Sequence, residues 1–162
     1  MAPVPGIAPA EPDPSDPAYI PPTEALGQVL DDWHRAASEA DMPEYMRLLA
    51  SDAVFLGTDP DERWTRSEFQ EYVRHYFVEQ ARGWTYLPSQ RHIQSSADGR
   101  TAWFDERLEN QGYGVLRGTG VAIWTAEGWR ITQYSMTFAV PNRDAAAVVQ
   151  LLREAAARAG DN

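Results

Sequence analysis

The chain has 162 residues, a mass of 18.2 kDa and 43% hydrophobic content, enough for one domain whose core needs no metal or disulfide staple. A net charge of -10 and a pI near 4.6 argue against a nucleic-acid backbone or an anionic membrane surface as partner. All fourteen basic residues are Arg and there is no Cys, which excludes Schiff-base, P-loop and thiol chemistry together with zinc–thiolate and iron–sulfur sites.

Eight of the twelve prolines fall within residues 1–22, which read as an extended, acidic, proline-rich arm with nothing to bury. The arm has neither the basic start nor the apolar run of an intact signal peptide. A cytoplasmic location is favoured, with a spacer left after cleavage of an export leader as the alternative. No stretch approaches the roughly 18 apolar residues of a membrane span.

A single folded domain is expected over 23–160. Thr23 is placed to cap a first helix, in which Leu26, Val29, Leu30, Trp33, Ala37 and Ala40 recur at helical spacing. Asp41 and Pro43 start a short second helix with Tyr45, Met46 and Leu49 on its apolar side. A weak alternation over 53–57 predicts a short strand, and 57–62 a loop. Thr65 and Glu68 form a capping box, opening a third helix with Phe69, Tyr72, Val73, Tyr76 and Phe77 on one stripe.

Beyond Gly83 the period changes to two. Segments 84–95, 101–109, 113–125 and 129–140 are four long strands, joined by turns at Asp98-Gly99, Asn110–Gly112 and Glu127-Gly128. Asn142 can cap a last, Ala-rich helix with Val148, Val149 and Leu152 facing inward. Helices followed by a meander define an α+β protein: three N-terminal helices on a strongly curved antiparallel sheet, plus a C-terminal helix.

Strand parity supplies candidate site residues. One face of 101–109 reads Ala102, Phe104, Glu106, Leu108, apolar but for one carboxylate, and a buried unpaired Glu is costly. One face of 115–123 reads Val115, Arg117, Thr119, Val121, Ile123, and one face of 129–137 carries Gln133. Glu106, Arg117 and Gln133 would form a polar floor in an aromatic cavity; an ion pair on the outer face of the sheet is an equally weighted alternative. Tyr134, Met136 and Phe138 shift the parity of the last strand, which signals either a bulge or an apolar outer face. Trp33 and Tyr76 belong to helix stripes and could form cavity wall, with His34 one position off the first stripe. His75 reads as a surface residue, and the face of His92 is not assignable. The three histidines have no metal-ligand spacing, so no metal site is expected. Asp59, Asp61 and Glu62 cluster in a loop without calcium-loop spacing, and Trp64 is placed to cover an opening. Gly118 and Gly120 open no helix and read as close-packing positions in a bent sheet, not as a phosphate loop.

These elements resemble the nuclear transport factor 2-like superfamily, and within it the SnoaL-like branch. The likeness rests on VLDDWH at 29–34, SDAVFLGTD at 51–59, ERW at 62–64, TAWFDE at 101–106, RGTG at 117–120 and GWRITQY at 128–134, and it spans about residues 24–140. The resemblance implies a cone whose curved sheet wraps the helices around a pocket, and a homodimer formed through the outer face of the sheet. It implies no single activity, since such proteins include isomerases, cyclases, dehydratases and pure binding modules. The first reading is a domain that binds a small apolar or aromatic molecule through Trp33, His34, Trp64, Tyr76, Phe104, Arg117 and Gln133. The second is an enzyme needing no cofactor, with Glu106 or Asp59 as general base beside a carbonyl. A dimerising module is the third. In enzymes of the superfamily a carboxylate base follows the short strand, where this chain has Gly57 and Thr58 and displaces the nearest acid to Asp59.

Overall fold

The computed structural model describes residues 21–160. Of the expected proline-rich arm only Pro21 and Pro22 fall within them; the rest lies outside the described residues. Helix α1 (Pro22–Glu39) starts with Pro22 in its first turn, where a missing N–H removes no intrahelical bond. Thr23, the expected cap, is already inside this helix, and the N-cap residue, Pro21, makes no side-chain capping bond. Leu26, Leu30, Trp33 and Ala37 are buried along one stripe as their spacing requires, and His34 is buried beside them. A left-handed Ala40 ends the helix.

Helix α2 (Met42–Arg47) is capped by the Asp41 carboxylate, which accepts from the Glu44 N–H at 3.1 Å, and it buries Tyr45 and Met46. Strand β1 (Leu49–Leu56) is longer than the expected 53–57, and β2 (Arg63–Thr65) pairs with it antiparallel, so Trp64 sits on a strand. The capping box of Thr65 and Glu68 opens α3 (Arg66–Arg74), which buries Phe69 and Val73. The chain then widens into a π turn over His75–Glu79.

Four strands follow: β3 (Leu87–Ser95), β4 (Thr101–Asn110), β5 (Gly114–Thr125) and β6 (Gly128–Phe138). The sheet is curved and open, in the order β2-β1-β6-β5-β4-β3. The expectation of a wholly antiparallel sheet is corrected at one place, because β1 runs parallel to β6. These two strands are joined by a long connection through α3 and the meander, so no hairpin forces them to run in opposite directions.

Two irregularities set which side chains face the helices. In β3 the register shifts between Ser89 and His92, around Gln90 in the left-handed region at φ 48°. In β6 the partner of Val121 is Gln133 and the partner of Ala122 is Ile131, leaving Thr132 as an extra residue. Trp129 and Ile131 are therefore buried before the bulge, and Tyr134 and Met136 after it.

Helix α4 (Ala145–Gly160) departs from expectation. Val149 and Leu152 are exposed and Val148 is half-buried, so the helix does not bury the face that its spacing predicts.

The segment between the π turn and β3 is pinned to α1. Trp84 donates its backbone N–H to the Ala37 carbonyl at 3.0 Å, and a Cβ at Gly83 would overlap the carbonyl oxygens of Ala37 and Ser38. These are backbone atoms that cannot step aside cheaply. Gly83→Ala is expected to cost about 1–3 kcal/mol, read as a lower urea midpoint with an unchanged m-value; an unchanged midpoint would show that the segment moves freely.

Candidate functional site

The concave side of the sheet and the three N-terminal helices enclose a cavity of about 870 Å³. Aromatic side chains form much of its wall. Trp33 from α1 stacks on Tyr45 from α2 with ring centroids 4.8 Å apart, and Phe55 from β1 stacks on Phe69 from α3 at 4.1 Å. Toward solvent the lining continues with Trp64, Tyr72, Tyr76, Trp84 and Tyr86. Burial pushes the Tyr86 hydroxyl up to about 12, so it enters any reaction as a neutral donor.

The inner wall carries a chain of polar groups. His34 lines the cavity, and its Nε2 lies 2.6 Å from Oε1 of Glu106 on β4. Glu106 is fully buried. Its other oxygen, Oε2, accepts from Nε of Arg91 on β3 at 2.8 Å. Arg91 then reaches the Gly27 carbonyl at 3.1 Å and the exposed Asp31 carboxylate at 2.7 Å, both on α1. The Tyr134 hydroxyl donates to Glu106 Oε1 at 3.2 Å. Residue 118 must be small for this contact, since Glu106 pairs with Gly118 across the ladder and a Cβ there would overlap the Tyr134 hydroxyl.

Charge follows from these contacts. Burial alone would raise the Glu106 carboxyl, but hydrogen bonding and attraction from His34 and Arg91 outweigh it and hold the group below the ordinary glutamate value. Tyr134 is driven well above the ordinary tyrosine value by burial and by the Glu106 charge, so it stays protonated. An ionised carboxylate only accepts, so His34 must present a proton on Nε2 to it. No group among the described residues engages its Nδ1.

The sequence-derived candidates separate into three groups. Trp33, His34, Trp64 and Tyr76 line the cavity. Glu106 and Phe104 lie behind its wall, buried and outside the lining, and Glu106 is linked to lining residues through His34 and Tyr134. Arg117, Gln133 and Asp59 are corrections. Arg117 is exposed and stands opposite Arg107 on the other face of the sheet, because the inward face of β5 is Leu116, Gly118, Gly120 and Ala122. Gln133 is turned outward by the bulge at Thr132. Asp59 is exposed in its loop, and its carboxylate is taken by the Asp61 N–H at 2.9 Å. His75 and His92 are exposed. Arg91, Tyr134 and Asp31 are site residues that the parity argument did not reach. Among the described residues no three His, Asp or Glu side chains gather as metal ligands would.

A curved open sheet closed by helices around one aromatic cavity is the architecture of the nuclear transport factor 2-like, cystatin-like fold. The chain belongs to the SnoaL-like domain family, whose model matches residues 26–141. Solved structures agree on the fold. One is an NTF2-like protein with a cystatin-like fold from Novosphingobium aromaticivorans, 13% identical, covering 76% of this chain and 86% of its own, with a TM-score of 0.60. Another is a candidate dehydratase of the NTF2-like family from Streptomyces avermitilis, 13% identical, covering 74% of this chain and 96% of its own, with a TM-score of 0.61. A third is an NTF2-like protein of unknown function from Pseudomonas putida KT2440, 13% identical over 72% of this chain and 86% of its own, with a TM-score of 0.58. No curated protein matches the chain.

Proposed function

We propose that this protein takes a flat, mainly apolar small molecule into the aromatic cavity and that His34 moves a proton on it. The observation that carries this reading is the chain His34–Glu106–Arg91 behind the cavity wall. A pocket built only to hold an apolar ligand gains nothing from a fully buried carboxylate, whose desolvation is costly. A carboxylate bonded to one imidazole nitrogen does what a general base needs: it fixes the tautomer and faces the imidazolium charge as it forms. Nδ1 accepts a proton from a carbon beside a carbonyl, the C–H electron pair passes into the enolate, and the imidazolium returns a proton to the same or a conjugated carbon. Glu106 is a positioning residue here, because His34 and Tyr134 already occupy Oε1 and Arg91 occupies Oε2.

The test uses 2-tetralone, a bicyclic aromatic ketone, in deuterated buffer. The protein is expected to accelerate deuterium uptake at the carbon between ring and carbonyl, followed by NMR, and to change its tryptophan emission on binding. Binding without exchange would leave a ligand carrier and overturn the catalytic part. We also propose that two copies pair through the outer sheet face, on which Trp103 stands 46% exposed. Light scattering should then give about twice the chain mass, and a monomer at all concentrations would end this reading.

A further inference from the structure

Arg82 differs from the other charged groups around the cavity. It lines the cavity, is solvent-exposed and makes no side-chain hydrogen bond or ion pair among the described residues. The two lining carboxylates are already engaged. Glu62 accepts from the Asp59 N–H at 3.1 Å, and Glu109 pairs with Arg107 at 3.0 Å. His34 is turned to Glu106. In a chain of net charge -10, Arg82 is, among the described residues, the one fixed cation facing this cavity, and it has no counter-ion among them.

The backbone around Arg82 is held at some cost. Ala81 lies in the left-handed region at φ 48°, where a residue with a Cβ is strained. The Arg82 N–H donates to the Tyr76 carbonyl at 2.9 Å, and Gly83 and Trp84 are locked against α1. Ala81, Gly83 and Trp84 thus fix the chain on both sides of a guanidinium that no group among the described residues uses. Its planar fork suits a carboxylate.

We infer that Arg82 selects ligands that carry an anionic group, a carboxylate above all, at the mouth of the cavity while their aromatic body enters it. This deepens the proposed function and rests on the cavity as the binding site. The ligand class is an aromatic acid in place of a neutral hydrocarbon, with the charged end toward solvent and the ring among Trp64, Tyr72, Tyr76 and Trp84.

The test is tryptophan quenching by 2-naphthoate and by its neutral counterpart 2-naphthylmethanol, with the wild type, Arg82→Gln and Arg82→Lys. The wild type is expected to bind naphthoate more tightly than the alcohol by on the order of fivefold, the worth of one partly solvated ion pair. Added salt should narrow the gap. Arg82→Gln should abolish the preference, and Arg82→Lys should keep part of it. Equal affinities in the wild type, or a preference that survives in Arg82→Gln, would overturn the assignment of Arg82 alone. If neither probe binds, the cavity reading falls and this inference falls with it.

Discussion

Glu106→Gln is expected to lower the melting temperature by on the order of 10 °C and to flatten the acid limb of the stability curve. The amide preserves size and shape, so the loss measures charge. In the native protein the carboxylate faces His34 at 2.6 Å and Arg91 at 2.8 Å with no exposure to water. Glutamine leaves the Arg91 guanidinium with only the exposed Asp31 as counter-ion and turns an N–H donor toward Arg91 or His34. Breaking a buried pair in this way costs about 3 kcal/mol. The pH dependence has a definite sign. Glu106 titrates lower in the folded chain than unfolded, so its contribution is complete above the unfolded glutamate value of about 4.3 and is lost as pH falls through the lower, folded value. Urea midpoints of wild type and variant should therefore lie far apart at neutral pH and converge in acid. Parallel curves would mean that Glu106 is not ionised in the native state, and the account of His34 would lose its anion.

Glu106 also shows how far the sequence reaches. A lone carboxylate on the apolar face of 101–109 reads equally as a cavity floor or as an ion pair on the outer face, and it is fully buried. Its partners were not legible. On β5 the inward face is Leu116, Gly118, Gly120 and Ala122, where glycines stand because the Tyr134 hydroxyl and the Phe104 ring fill their space. A glycine face carries little hydrophobic signal, so the parity rule prefers the Val115–Ile123 face and brings Arg117 inward with it. Gln133 fails for another reason: one extra residue at Thr132 reverses every later side chain, and a parity shift alone does not tell a bulge from an apolar outer face. Arg91 was hidden by the same device in β3. The bulge that turns it toward Glu106 is built on a left-handed Gln90, where no glycine advertises the turn. The helices were easier, because the i, i+3, i+4 stripe of α1 survives whatever covers it. That stripe marks Trp33 as core first and cavity wall second, with His34 one position off it.

His34→Gln is expected to reduce deuterium uptake by 2-tetralone at least about a hundredfold, the range for loss of a positioned general base, while tryptophan quenching by the ketone persists. Glutamine can still donate to the Glu106 carboxylate, so the buried anion keeps a partner and the fold should hold. His34→Ala removes both the base and the donor. It should be equally inactive but also less stable, because Glu106 then relies on Arg91 and Tyr134 alone. The pair of variants separates two roles that one substitution would merge: stability follows the hydrogen bond to Glu106, and exchange follows the free Nδ1 lone pair. Added imidazole should restore part of the exchange in His34→Ala, where a side chain has left the cavity wall, and little in His34→Gln. Exchange in His34→Gln within about threefold of wild type would remove His34 as the base. The remaining groups could not take over as they stand, since Tyr134 is held protonated and Glu106 has both oxygens engaged behind the wall. A surviving activity would have to come from Glu62 or Glu109 at the mouth, and the reacting carbon would then lie at the opposite end of the ligand from the one argued above.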